Sequence, residues 1–247
     1  MRCFVVAAFL AGPLCGQAQP PKPAPPPVNE TPVVRQHEIT LAGRPLRYTT
    51  TAGMMPVRAA NGETEAHIFY MAYTLDGVTD PSKRRLMFSF NGGPGSSSVW
   101  LHLGALGPKR VKMMPDGAMP PPPYRLVENP DTWLAFTDLV FIDPVGTGYS
   151  RPVRPELQSK FSSRLGDIES VGEFIRLYLA RNKRWTSPLF LAGESYGTTR
   201  AAGLAGYLID RGIAFNGIAL VSTILNFQTV DFAAGNDLAY PLILPTY

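Results

Sequence analysis

Cysteine is almost missing from this chain. Only Cys3 and Cys15 occur among its 247 residues, and both fall in an N-terminal stretch that reads as an export signal. Cleavage near Ala18 leaves no thiol, which excludes disulfides, thiol catalysis and cysteine-ligated metals together. An exported protein so built relies on its apolar core rather than on cross-links. Histidine is scarce too: His37, His67 and His102 are all there is. Charge is thin, at 17% of residues with a net of +4. The densest basic runs, Lys109-Arg110-Lys112 and Arg181-Lys183-Arg184, lack the interleaved aromatics of a nucleic-acid face. They read as solvated loop and helix-end charge, so no nucleic-acid partner is expected.

The beginning of the chain has the parts of a signal peptide. Arg2 supplies the positive end, Cys3 to Ala11 the apolar centre, and Gly16-Gln17-Ala18 small residues for cleavage. The apolar run is too short to cross a bilayer. Cys15 offers a lipoprotein signal as a rival, although Gly12-Pro13-Leu14 leads into it poorly. Residues 1–18 are therefore read as a signal, with export to the periplasm or medium and no other membrane association. Residues 19–34 are proline-rich and read as a stiff linker. Residues 35–247 are read as the N-terminal portion of a single domain.

Within that domain, 36–41 is short and alternating, and 44–51 and 66–75 are rich in β-branched and aromatic residues, which predicts an antiparallel entrance to a sheet. The texture then changes. Leu86–Phe90, Leu139–Ile142, Leu189–Ala192 and Ile218–Val221 are continuous apolar runs, suited to parallel strands covered on both faces. Between them, 166–181 carries Ile168, Val171, Phe174, Ile175 and Leu179 at helical spacing, and 197–210 is a helix of small residues. Strand alternating with helix predicts an α/β fold with a mixed, mostly parallel sheet and helices on both faces. Residues 113–130 read as a proline-rich surface loop.

Two motifs carry chemistry. Gly193-Glu194-Ser195-Tyr196-Gly197 follows a strand-like run and precedes a small-residue helix. A nucleophile elbow needs that context, with a strained serine and small residues on either side of it. Asn91 to Ser98 (NGGPGSSS) follows another apolar run. Glycine there lets backbone N–H groups approach a developing oxyanion. The alternatives are an ordinary glycine turn or a phosphate loop, and the latter lacks its lysine. Asp143, before Pro144, reads as part of a structural turn. Glu194 is either a buried strut or a substrate contact. His102 reads as a core or surface residue, because an elbow takes its base from a later loop. No metal or organic cofactor is implied, and nothing sets the oligomeric state.

The string NGGPGSSS, the string from Thr132 to Ser150 and the elbow GESYG, in this order, resemble the serine carboxypeptidases. That resemblance implies an α/β-hydrolase fold and removal of C-terminal residues from peptides, typically best at acidic pH. It implies Ser195 as nucleophile, and Gly93 and Tyr196 as the oxyanion N–H donors. Asn91 and Glu194, beside Gly92, match positions that bind the substrate's C-terminal carboxylate. A protonated Glu194 donates a hydrogen bond to that carboxylate, whereas an ionised one repels it.

The sequence departs from the pattern at several points. Ala105 stands where many members have a second glutamate, Ser89 where they have tryptophan, and Ser96 where they have cysteine. One residue usual between Asp143 and Pro144 is absent. The carboxylate clamp is therefore expected to be incomplete. The family's aspartate and histidine follow the elbow, and here all three histidines precede Ser195. The expectation is a fragment lacking the C-terminal part of the fold, inactive alone because Ser195 has no base. The competing expectations are a related esterase or acyltransferase, and a non-catalytic binding protein that kept the fold.

Overall fold

The computed structural model describes residues 28–244. The signal at 1–18 and most of the proline-rich linker lie outside the described residues. The first strand begins at Val33, just before the linker's expected end at 34.

The sheet opens with a meander: β1 (Val33–Leu41), β2 (Arg44–Arg58) and β3 (Thr64–Leu75), each antiparallel to the next. Alternation puts Met55, Val57, Ile68 and Tyr70 on one face of this ribbon and into the main core. Next come β4 (Arg85–Phe90), the helical turn α1 (Val99–Leu101) running into a π-type turn (His102–Leu106), and a small ribbon of β5 (Lys109–Val111) and β6 (Leu126–Glu128). The loop expected at 113–130 thus returns as a strand at its end. After these come β7 (Thr137–Ile142), the two-residue β8 (Arg151–Pro152), α2 (Gln158–Ser162), α3 (Arg164–Arg181), β9 (Leu189–Glu194), α4 (Tyr196–Ile209), β10 (Gly217–Val221) and α5 (Ala239–Ile243).

The order across the sheet is β1-β2-β3-β7-β4-β9-β10. The last four run parallel to one another, and β3 meets β7 antiparallel. The α/β fold with a mixed sheet is as the apolar runs predict. β4 and β7 are buried almost throughout, because helical layers cover both faces.

Those layers are unequal. On one face α3 and α4 pack Val171, Phe174, Ile175, Leu179 and Leu204 against Phe88, Val140 and Leu191. On the other, Leu101, Leu106 and Leu134 from short turns cover Met87, Leu139 and Phe141. Ser163 caps α3 by accepting from Gly166 N at 3.0 Å.

Candidate active site

The carboxyl ends of β4 and β9 adjoin, since Phe90 is in register with Gly193. This is where a parallel sheet places ligands, and the two motifs meet there. Ser195 has φ 56° and ψ −126°, a strained conformation for a non-glycine residue. Its N–H donates to Val221 O at 2.9 Å, which ties the turn to β10. Thr198 N donates to Ser195 O at 2.9 Å and starts α4.

The glycines are required by contact. A Cβ on Gly193 would run into Gly197 O, and one on Gly197 would lie 2.8 Å from Phe90 O. A Cβ on Gly92 would collide with Tyr196 N and lie 2.7 Å from Glu194 O. The glycine-rich loop is therefore pressed against the elbow backbone. Gly93 has φ 108°, a region that glycine alone enters freely.

Asn91, Gly93, Ser96, Trp100, Leu101, Glu194 and Ser195 line a cleft of about 510 Å³ above this junction. Asn91 is wholly buried. Its Nδ2 donates to Glu194 Oε2 at 2.9 Å and its Oδ1 accepts from Leu101 N at 3.0 Å. Glu194 is half-buried and faces the cleft. It is thus not a fully buried strut: Asn91 holds one oxygen, and the side chain borders the cleft.

Gly92, Gly93, Asn91, Glu194, Ser195 and Tyr196 converge as a group. His102 does not join them. Its ring stacks on Phe141 at 4.5 Å, its Nε2 meets Tyr73 Oη, and burial pushes its pKa down to about 4. His37 stacks on Tyr48 and His67 meets Glu30. None of the three lines the cleft. Asp143 braces the neighbouring turn: its Oδ1 accepts from Ser98 N at 2.8 Å, and burial raises its pKa. Among the described residues, no group of three or more His, Cys, Asp or Glu is arranged to hold a metal ion.

The sequence reading missed two arginines. Arg184, read as solvated charge, is buried and donates to Asp138 Oδ2 at 2.6 Å. Arg200, in the first turns of α4, pairs with Asp167 of α3. For Arg200 the available signal was a charge inside a helix of small and apolar residues; Arg184, beyond the end of α3, had none.

The profile of the serine carboxypeptidase family matches residues 42–237. This chain belongs to that family. It is 29% identical over 157 residues to pheromone-processing carboxypeptidase kex1 of Talaromyces marneffei, covering 61% of this chain and 22% of that protein. It is 28% identical over 187 residues to carboxypeptidase Y of Candida albicans, covering 75% and 30%. Serine carboxypeptidase-like 15 of Arabidopsis thaliana is 30% identical over 135 residues, covering 53% of this chain and 29% of the plant protein. The match thus spans less than a third of each of these relatives. The crystal structure of a prohormone-processing carboxypeptidase from Saccharomyces cerevisiae superposes with a TM-score of 0.54 at 25% identity, covering 70% of this chain and 38% of that one.

Proposed function

We propose that these residues form the nucleophile half of an exported serine carboxypeptidase that releases C-terminal residues from peptides. The observation that carries the reading is the strained Ser195 beside an Asn91–Glu194 pair in one cleft. Ser195 Oγ attacks the scissile carbonyl carbon and gives its proton to a base. The Gly93 and Tyr196 N–H groups stabilise the oxyanion. The amine leaves with that proton, and water then hydrolyses the acyl-serine ester. Asn91 and Glu194 hold the substrate's free carboxylate. No described histidine lines the cleft, so the described residues alone are expected to be inactive.

Ala105, exposed where many members carry a second acid, favours a second reading, an esterase or acyltransferase on the same serine. The test is labelling of the native protein with a fluorophosphonate, followed by mass spectrometry. Modification at Ser195 supports the nucleophile. An unmodified Ser195 in folded native protein moves the reading to a non-catalytic binding protein. Turnover of free-carboxylate peptides well above that of blocked peptides and simple esters selects the carboxypeptidase, and the reverse selects the esterase.

A further inference from the structure

Arg200 is an unusual occupant of the space beneath the cleft. It is 2% exposed and is among the largest fully buried side chains of the fold. Its Nε lies 2.8 and 3.0 Å from the two Asp167 oxygens. Its Nη1 donates to the backbone carbonyl of Asn91 at 2.8 Å. Its guanidinium carbon sits 5.2 Å from the ring centroids of both Phe90 and Tyr196. One planar side chain therefore touches both walls of the proposed oxyanion hole: the β4 exit that leads into Gly92 and Gly93, and the residue that follows the nucleophile. Asp167, in the first turn of α3, fixes the plane of that fork.

The need for such a device is visible in the backbone. The Gly92 loop and the Tyr196 amide are so close that no Cβ fits between them. Yet hydrogen bonds within either motif do not set the spacing of the two chains. The Asn91 side chain ties the loop to Glu194 from the cleft side. Arg200 ties the same residue's carbonyl to α4 from the core side.

We propose that Arg200, oriented by Asp167, is a positioning residue that fixes the spacing of the two oxyanion N–H donors. This rests on the hydrolase reading of Ser195. Its consequence is a loss of rate without a matching loss of substrate binding. Misplacing reacting groups by about 1 Å can cost on the order of 10²-fold.

The test uses the native protein carrying Arg200→Met, Arg200→Lys or the double substitution Asp167→Leu/Arg200→Met. The double variant removes both charges together, which often leaves a fold intact. It is expected to unfold near the wild-type denaturant midpoint, to react with fluorophosphonate about 10²-fold more slowly, and to lower kcat with KM nearly unchanged. Arg200→Lys keeps the charge beside Asp167 but has no planar fork to span Asp167 and Asn91. It is expected to retain stability and remain slow. A folded double variant that reacts at the wild-type rate overturns the proposal and leaves the hydrolase reading standing.

An unlabelled wild-type Ser195 sinks the hydrolase reading instead. Amide exchange then decides the strut: faster exchange at Gly93 and Tyr196 in the double variant supports it, and unchanged exchange overturns it.

Discussion

Asp138 and Asp167 are both buried and both paired with arginine, but they sit at opposite ends of the parallel strands. Asp138 stands near the start of β7. Its Oδ1 accepts from Arg84 Nε at 2.9 Å and from Leu75 N at 2.9 Å, and its Oδ2 accepts from Arg184 Nη1 at 2.6 Å. The arginines also donate to Leu134 O, Arg84 O and Ser187 Oγ. That cluster stitches β3, β7, the entry to β4 and the exit of α3 into one closed knot, far from the cleft. Asp167 and Arg200 instead border a cavity of about 170 Å³ lined by Pro94, Gly146, Thr147, Gln158 and Tyr196. Burial pushes the Asp167 carboxyl above its ordinary range, and Arg200 offsets this only in part. The same pair of residue types thus does two jobs. Where one carboxylate is shared by two arginines and a backbone amide, it locks strand ends. Where it adjoins a cavity and glycine turns, it holds a site in shape.

The largest effect should come from breaking the closed knot. Asp138→Ala strands Arg84 and Arg184 as unmatched buried charges, and removing one partner of such a cluster costs about 3–5 kcal/mol. Asp167→Ala should cost less, because water in the adjoining cavity can reach Arg200. Denaturant unfolding of the two variants checks this. Equal losses would erase the distinction between the two ends.

Acid sharpens the comparison by adding a third, half-buried group on the opposite face of the sheet from Arg200. Burial holds the His102 pKa at about 4, against 6.5 unfolded. The imidazole is neutral in both states above pH 6.5, so it leaves stability unchanged there. Between pH 6.5 and about 4 the unfolded chain takes up a proton that the fold refuses, so stability falls as pH falls. At 1.36 kcal/mol per unit the full loss is about 3 kcal/mol. His102→Gln can keep a partner for Tyr73 Oη and should flatten stability against pH across that window. A slope that survives the substitution would move the acid sensitivity to the carboxylates.

How much of this was written in the sequence divides along physical lines. Leu86–Phe90 and Leu139–Ile142 announced parallel strands because burial on both faces leaves them apolar at every position but Ser89. The elbow was legible because Gly193, Gly197 and Gly92 answer a steric demand, which a sequence records directly. The two ion clusters were not legible. Arg184 lies 46 residues from Asp138, and Arg200 lies 33 from Asp167. No local period links partners at such separations, so Arg184 read as ordinary surface charge. The Asn91–Glu194 bond spans 103 residues, and both ends were picked out only because each sits in a motif. Chemistry that depends on backbone crowding leaves a local trace, whereas chemistry that depends on charge pairing becomes visible only in the fold.

The smallest effect belongs to the helix cap that places Asp167. Ser163 Oγ accepts from Gly166 N at 3.0 Å and donates to Lys160 O at 2.8 Å, at the junction of α2 and α3. Loss of such a cap costs about 1 kcal/mol, so Ser163→Ala should lower stability by that amount. Its value lies in what it does to the two ends separately. Asp167 is in the first turn of α3, whereas Arg184 follows the last. Fraying therefore begins beside the Arg200 fork and leaves the Asp138 knot closed. Ser163→Ala is expected to speed amide exchange at Gly166 and Asp167 and to leave exchange near Arg184 at the wild-type rate. Equal acceleration at both ends would mean that α3 moves as one rigid piece, and that the two clusters are a single mechanical unit.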